Sequence, residues 1–474
     1  MAGRFLRIFK PISRFMPEIR APERKVGFNE KIFWTLLALA LYLVMAEVPL
    51  YQVGQGQGWE LTYLRVIFAS NRGTLMELGI GPIVTAGIIL QLLGGSGMIE
   101  LDMSNPEDRG LFTGASKFFS IVLTGVQASA YLIGGVYGSL SPTTSIIIFL
   151  ELLAAGVIVM MLDEMVQKGW GFGSGISLFI LGGVAQKIFL DMFSLVPAGP
   201  GESVGIFVAL TQRLMAGGDV AALLIRPGGY PGIVGFIATL AIFFIVIYAE
   251  GVRVELPISH AGYRGFRSRY PIKLLYVSNL PVIFTSALFA NVYFFSQLFW
   301  SMNGTPVPGA NPWLDILGQF ATNEQGQPQP VGGLVYYVLG PRSLYEVQAD
   351  PIRAGVFAAL MVSFCVVFSL TWLEVGGLGP TSVAKQLVDS GMHVPGYRRS
   401  SKPIELLLKR YIPPVTILGG IIVGLIASFG DFFGVFGGGM GILLSVGIIY
   451  QYYQLLIQER AAEMFPAFRR VLGG

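Results

Sequence analysis

The chain has 474 residues, of which 53% are hydrophobic and only 13% are charged, and its formal net charge is +4 at pH 7. A soluble domain carries about a quarter charged residues, so the composition excludes an ordinary soluble protein. The apolar residues come in runs long enough to cross the ~30 Å hydrocarbon layer of a bilayer, which takes about 20 residues. The composition therefore predicts an all-α polytopic membrane protein.

The N-terminal segment, residues 1–30, is basic and amphipathic. We expect it to lie in the cytosol, either as a surface helix on anionic lipid or as a plain tail. No small-residue cleavage site follows it, so we expect no cleavable signal peptide.

Ten apolar runs along the chain are predicted to cross the membrane. They cover residues 31–50, 76–95, 114–138, 143–162, 174–195, 231–250, 273–298, 354–375, 411–430 and 437–457. Lys and Arg concentrate in the N-terminal segment, in the C-terminal tail and in the loops 251–273 and 376–410. Ten spans place these four regions on the same side, and positive loops stay in the cytoplasm. Both termini and both long loops are therefore predicted to be cytoplasmic.

One apolar stretch, residues 59–77, does not fit a membrane span, because Arg65 and Arg72 are too costly for exposure to lipid. Its apolar side chains recur at helical spacing and predict a short amphipathic helix on the external side. These apolar positions are Leu61, Leu64, Ile67 and Phe68. The segment either re-enters the protein from outside, where surrounding protein tolerates such a break, or lies on the external surface.

Two segments rich in Gly and Pro, residues 196–205 and 225–232, bracket the connection between the fifth and sixth spans. They divide the chain into an N-terminal half, 31–200, an external hinge loop, 201–230, and a C-terminal half, 231–474. Each half has an odd number of spans, so the two halves must run in opposite directions. This is the arrangement of inverted-repeat transport folds.

Ionisable, nucleophilic and metal-ligating side chains are scarce in the predicted spans. Glu151 is the clearest ionisable residue there, either as a proton or ion site or as a carboxylate that contacts a neighbouring helix. Cys365 is expected to be a buried inert thiol, and His260 and His393 lie too far apart in sequence to suggest a metal site. The GFGSG stretch at 171–175 lacks the Lys-Ser/Thr of a phosphate loop. The sequence thus predicts no enzyme, no cofactor and no metal.

A secondary transporter for a small solute is the alternative function. Such a protein needs a midplane site of broken helices with polar or charged ligands. The second span, GIGPIVTAGIILQLLGG at 79–95, offers the break, with glycines and Pro82 at its start, but no charged ligands accompany it. Instead, Ile80 and Val84 are four residues apart and share a helix face.

Five longer stretches occur in an order that one known family shows. They are GIGPIVTAGIILQLLGG (79–95), MSNPEDRGLFTGASK (103–117), LDEMVQKGWGFGSGISLFI (162–180), YPIKLLYVSNLPVIFTSALFAN (270–291) and GGGMGILLSV (437–446). Together they resemble the SecY family of protein-conducting channels, and most closely its archaeal and eukaryotic branch. The resemblance implies a clamshell of two five-span halves around a pore. Such a pore conducts unfolded secretory proteins across the membrane and releases transmembrane segments sideways into lipid.

The resemblance also implies roles for individual residues. A ring of aliphatic side chains would close the pore at Ile80, Val84, Ile176, Ile180, Ile283 and Leu444. A plug helix would fall on about 61–72, with Leu61, Leu64, Arg65, Ile67 and Phe68. A lateral gate between spans two and three and spans seven and eight would hold a polar cluster of Thr85, Gln127 and Asn291.

Partners and location follow from the same resemblance. The two basic loops would dock the ribosome, or a motor in branches that have one, through Arg253, Arg264, Arg267, Arg398 and Arg399. Further implied partners are SecE-type and Sec-beta/SecG-type small subunits, signal sequences, nascent polypeptides and membrane lipid, and no DNA. The implied location is the plasma membrane, crossed many times, with both termini in the cytoplasm.

Overall fold

The structure is a computed structural model. It describes residue 11 and residues 16–53, 73–95, 106–133, 137, 140–199, 202–226, 230–260, 267–277, 280–302, 312–322, 328–390, 392–393 and 401–464. The predicted plug at 61–72 lies outside the described residues, and so do the predicted docking residues Arg264, Arg398 and Arg399.

Ten helices coincide with the ten predicted spans. In chain order they are α1 (Phe28–Glu47), α2 (Gly81–Gly95), α3 (Pro106–Ile133), α4 (Pro142–Met165), α5 (Gly175–Phe193), α6 (Ile233–Gly251), α7 (Leu280–Met302), α8 (Pro351–Val375), α9 (Ser401–Phe432) and α10 (Gly439–Met464). Within the described part of the chain, nine helices are long and apolar enough to cross a membrane. The predicted all-α membrane fold is confirmed.

Helix α2 is the one of the ten that is too short to count among these nine. It has 15 residues, so it is about 22 Å long at 1.5 Å per residue and covers only part of the hydrocarbon layer. It begins at Gly81, later than the predicted span, because residues 76–80 form turns in which Gly79 has a φ of +53°. Pro82 lies in the first helical turn, where backbone N–H groups have no acceptor within the helix, so a proline there costs no hydrogen bond. The predicted helix break at this point is therefore real.

Short strands lie in the connections between the spans, and the sequence predicted none of them. In the described residues they are β1 (Pro197–Gly199), β2 (Glu202–Ser203), β3 (Arg253–His260), β4 (Arg267–Lys273), β5 (Gln319–Thr322), β6 (Pro328–Gly332) and β7 (Met392–His393). They form antiparallel sheets in the orders β1-β2, β4-β3-β7 and β5-β6.

The connections also contain short helices and turns. The helices are Ile206–Ala216, Pro312–Leu317, Gly333–Val338, Leu344–Ala349 and Pro380–Asp389. A π-helical turn, Val166–Trp170, follows α4, and a 3₁₀ turn, Ala221–Leu223, precedes α6.

The main apolar core joins side chains from α1 and from α4 to α10. Tyr42 of α1 stacks on Phe179 of α5 with ring centroids 4.8 Å apart. Helix α3 packs instead through smaller clusters, with Leu111 and Ala115 against Leu90 of α2. Of this pair, α2 also reaches the main core, through Ile83 and Val84.

The connection between α5 and α6 folds around a buried guanidinium. Arg226 is 5% exposed and donates to the carbonyl oxygens of Ser203 and Val204, both at 2.9 Å. It also lies 3.4 Å from the carboxylate of Glu202, which pairs with Arg213 as well. The Gly- and Pro-rich composition of this loop indicated a linker, yet the loop has a polar core of its own.

Candidate pore, lateral gate and cytosolic surface

The six predicted ring residues come from four spanning helices and from the turn before α2. Ile80 closes that turn, Val84 follows on α2, Ile176 and Ile180 lie on α5, Ile283 lies on α7 and Leu444 lies on α10. All six belong to the main apolar core or pack directly against it. Three of them, Ile80, Ile180 and Leu444, are at most 1% exposed. The structure thus brings residues from widely separated parts of the sequence to the same apolar core.

Val84 and Ile283 also belong to a second apolar cluster, where α2 meets α7. Its buried members are Ile88, Phe284 and Ala287. The Phe284 ring makes edge contacts with the rings of Phe368 and Trp372 on α8, with centroids 5.8 and 5.6 Å apart. The predicted gate between α2 and α7 is therefore closed in this structure mainly by apolar side chains.

A single polar contact of the predicted gate cluster crosses this seam in the described residues. The Nδ2 of Asn291 donates to the Oγ1 of Thr85 at 3.4 Å and to the carbonyl oxygen of Ala287, one turn earlier on α7, at 2.8 Å. The cross-helix bond is long, while the bond within α7 has ordinary length. The stronger hydrogen bond of Asn291 is thus the one within α7, and the weaker one is the bond to α2.

The third predicted member, Gln127 on α3, is half-buried. It makes no hydrogen bond to Thr85 or Asn291 within the described chain, so the structure brings together two of the three polar residues. Helix α2 carries another polar residue, Gln91, which has no predicted role. The Oε1 of Gln91 is buried without a hydrogen-bond partner among the described residues.

The two predicted cytosolic loops form one folded unit. In the first loop, β3 pairs with β4, and in the second loop β7 pairs with β3, with Ser259 opposite His393. One face of the hairpin is apolar, because Leu256 and Ile272 alternate with outward residues and are buried. They pack against the helix Pro380–Asp389 and against the start of α9 through a shared apolar cluster.

The apolar contacts also explain why α9 begins at Ser401 rather than at the predicted residue 411. Ile404, Leu408 and Ile412 recur every four residues, so they share a face, and all three are at most 2% exposed. The first part of α9 is amphipathic, so its mean hydropathy is low, whereas the rest of the helix is apolar. The predicted span therefore covered only the apolar part.

The opposite face of the hairpin is charged. Arg253 and Arg269 both contact the carboxylate of Glu255, at 3.4 and 2.7 Å, and their side chains are 60% and 76% exposed. The hydrogen bond from Arg269 lowers the pKa of Glu255, so this carboxylate stays ionised between the two cations. Arg267 lies at a register position opposite Ser259. This exposed face is the described part of the predicted docking surface.

Comparison with known proteins assigns the family. A family model described as SecY matches residues 74–453. The chain belongs to the SecY family. It is 39% identical over 480 residues to a protein translocase subunit SecY from Pyrococcus furiosus, covering 98% of this chain and 99% of the relative. The SecY resemblance drawn from the five sequence motifs is thereby confirmed.

Solved structures of SecY-type channels are similar to this chain over nearly its whole length. One, described as "The structure of a protein conducting channel", has a TM-score of 0.81 at 38% identity and covers 97% of this chain and 98% of its own. Another, described as "Sec61 in the Canine ribosome-channel complex from the endoplasmic reticulum", has a TM-score of 0.78 at 38% identity with the same coverage.

Glu151, the clearest ionisable residue of the predicted spans, has a hydrogen-bond partner in this structure. Glu151 accepts a hydrogen bond from the backbone N–H of Tyr51 at 3.0 Å, which supplies the partner that the sequence left open. Cys365 is a buried free thiol, as predicted. His260 and His393, distant in sequence, lie on paired strands. No group of three metal-ligating side chains occurs among the residues that the structure describes.

Proposed function

We propose that this chain forms the conducting pore of a Sec translocase, which passes unfolded secretory proteins across the membrane and releases transmembrane segments into lipid. The observation that supports this most directly is its 39% identity to translocase subunits along 98% of the chain. The chain is a multi-pass membrane protein and, as a member of this family, a channel subunit rather than an enzyme. A substrate of any sequence must pass, which agrees with the scarcity of charged groups in the spans.

The proposed seal is the aliphatic ring. A narrow constriction lined by apolar side chains excludes water and therefore blocks ions. Ile80, Ile180 and Leu444 are almost fully buried in the core that all six ring positions share, so little space is left between the ring-bearing helices. Aliphatic side chains also have no preferred hydrogen-bond partner, so they can close around a passing chain without selecting its sequence. The plug at 61–72 is proposed to support this seal from the external side.

The proposed lateral gate is the seam between α2 and α7. It is held by the apolar cluster of Ile88, Phe284 and Ala287 and by the long bond between Asn291 and Thr85. Hydrogen bonds between transmembrane helices contribute about 0.6 kcal/mol on average. An apolar signal segment or lipid tail can replace the apolar contacts of this seam, so its opening toward lipid needs no large loss of contact energy.

The proposed docking surface is the cytosolic unit of β3, β4, β7 and the helix Pro380–Asp389. Arg253 and Arg269 are exposed on it, and we propose that Arg264, Arg267, Arg398 and Arg399 extend it. Arginine at such a surface binds the phosphates of ribosomal RNA. A similar channel has been solved in a ribosome complex, which supports the ribosome as the partner.

Placement and assembly complete the proposal. The basic loops and termini lie in the cytoplasm, the chain lies in the plasma membrane, and SecE-type and Sec-beta/SecG-type subunits complete the channel. The halves 31–200 and 231–474 move about the loop 201–230, whose buried Arg226 makes it a folded hinge.

The test is site-specific photocrosslinking of a stalled nascent chain that carries a signal sequence. A photoreactive residue is placed at Thr85 or Asn291, and a matched control is placed at Phe244 on α6, which is 65% exposed on the outer face. We expect crosslinks from the two gate positions and none from the control. Absence of gate crosslinks, under conditions in which the protein supports transport, would favour the solute transporter.

A further inference from the structure

Residues 171–174 join the π-helical turn after α4 to the start of α5, and polar side chains from α1, α4 and α10 hold this turn. The N–H of Phe172 donates to the Oγ1 of Thr35 on α1 at 3.0 Å. The carbonyl oxygen of Ser174 accepts from the hydroxyl of Tyr452 on α10 at 3.0 Å. The N–H of Ile176 donates to the Oδ1 of Asp163 on α4 at 2.9 Å. We call Thr35, Asp163 and Tyr452 the turn anchor.

Asp163 caps α5 from a different helix. The first N–H groups of a helix have no partner within the helix, and Ser174, at the N-cap position, makes no capping bond with its side chain. Asp163 takes over this role, because its Oδ1 accepts from the N–H of Ile176 in the first turn of α5. Its other oxygen, Oδ2, accepts from the Nε2 of Gln167 at 2.7 Å. Asp163 is only 8% exposed, so its position is fixed on both sides.

The backbone of the turn is shaped to bring this carboxylate to α5. Gly173 has a φ of +67°, a conformation that glycine adopts readily. A Cβ on Gly175 would lie 2.6 Å from the Cα of Asp163, so no side chain fits at this position. The glycines that looked like a phosphate loop in the sequence therefore serve the close approach of α4 to α5.

We infer that the turn anchor positions the pore ring, and that Asp163 is its direct contact with a ring residue. The bond from Asp163 goes to the backbone of Ile176 itself, and Ile180 follows one turn later on the same helix. Tyr452 belongs to α10, which also carries Leu444, so two ring-bearing helices are joined at this turn. The inference rests on the proposed function, because it takes these residues as the ring.

The experiment measures ion conductance of the full channel complex, reconstituted into lipid vesicles without substrate. Asp163→Ala removes the cap and leaves the N–H of Ile176 without its acceptor, and we expect about a tenfold rise in leak, the factor that goes with one unpaired buried N–H. Asp163→Asn keeps an acceptor toward Ile176, so its leak is expected to stay close to that of the unsubstituted channel. Tyr452→Phe, which removes only a hydroxyl, is expected to raise leak to a smaller extent.

A matched control separates positioning from general loss of stability. Leu152 lies on the same helix as Asp163, is 1% exposed, and belongs to a different apolar cluster. Leu152→Ala is expected to lower the melting temperature without raising the leak. Equal leak from Leu152→Ala and Asp163→Ala at matched melting temperatures would overturn the inference. If Asp163→Ala does not assemble, an unchanged leak in Tyr452→Phe would overturn it as well.

The proposed function has its own control. Ile180→Asn alters the ring directly and is expected to leak strongly. If Ile180→Asn leaks and the anchor variants do not, the turn anchor has no positioning role while the ring assignment stands. If Ile180→Asn does not leak, the ring assignment itself is wrong, and the inference is overturned with it.

Discussion

The bond between Asn291 and Thr85 gives a quantitative prediction for the lateral gate. Thr85→Val keeps the shape of the side chain and removes the acceptor, while Asn291 retains its 2.8 Å bond to Ala287. The cross-helix bond is 3.4 Å long, beyond the ordinary range, so its contribution should not exceed the average of about 0.6 kcal/mol for such bonds. That energy corresponds to about a threefold change in the ratio of open to closed gate.

The measurement is a double-mutant cycle with Thr85→Val, Asn291→Leu and both together. The fraction of open gate is read by energy transfer between dyes on cysteines that replace Val126 of α3 and Val367 of α8, which are 49% and 54% exposed. The native cysteine, Cys365, is buried and should not react. We expect each single variant to raise the open-to-closed ratio by about threefold or less, and the double variant to add nothing further from this bond.

Two results would refute the reasoning about the gate. A coupling that changes the ratio more than about tenfold, or ~1.4 kcal/mol, would mean that the polar cluster and not the apolar cluster holds the seam. A fall in the open fraction would mean that the bond between Asn291 and Thr85 belongs to the open gate.

Four further predictions concern the seal, the docking surface, the hinge loop and the N-terminal segment. Ile283→Asn should raise ion leak and let preproteins with weakened signals pass, measured as conductance and as translocation yield; unchanged conductance would contradict its ring role. Arg398→Glu should weaken ribosome binding in co-sedimentation while the melting temperature is unchanged; normal binding and normal transport would remove it from the docking surface. Arg226→Met leaves buried carbonyl oxygens unpaired and should destabilise the protein by about 3 kcal/mol, seen as a lower melting temperature; Arg213→Met, at a more exposed site, is the control. Glu18 accepts a hydrogen bond from Lys168 that lowers its pKa from the usual 4.5, so its contribution to docking of the N-terminal segment is present above that value and lost as the pH falls through the lowered pKa. The protection of the amides of residues 16–27 against hydrogen exchange, relative to their intrinsic exchange rates, should therefore fall in acid, and Glu18→Gln should remove that pH dependence.

The spans could be predicted from sequence because each depends on local composition. A run of about 20 apolar residues has few alternatives to a membrane helix, and the break before α2 was visible in Pro82 and its neighbouring glycines. The start of α9 was missed because Ile404 and Leu408 lie among charged residues, so mean hydropathy falls where the helix leaves the membrane. Local composition thus locates the membrane-buried part of a helix better than its full length.

The folded unit of β3, β4 and β7 and the cap on α5 could not be predicted, since both depend on contacts between distant residues. The pairing of β7 with β3 joins Ser259 to His393, and nothing local in either loop indicates it. Helix capping is normally read from the residue at the N-cap, which here is Ser174, whereas the acceptor is Asp163, 13 residues before Ile176. The ring positions were proposed from the family's motifs, because spacing alone did not separate Ile80 and Val84 from ordinary packing residues.

The distribution of polar contacts explains why the proposed clamshell would open at the seam of α2 and α7. At the side where α1 and α5 meet α10, Lys31 pairs with Glu459 at 2.6 Å, and Tyr452 bonds to Ser174 at 3.0 Å. The Lys31 side chain is 17% exposed and the Glu459 side chain is 40% exposed, so water screens this ion pair in part, while the bond of Tyr452 has ordinary length. At the α2–α7 seam, the described polar contact is the 3.4 Å bond of Asn291, and the apolar contacts beside it can be replaced by lipid or by a signal segment. Separation at α2 and α7 therefore loses less contact energy than separation at α10, so that side can serve as the fixed edge about which the gate moves.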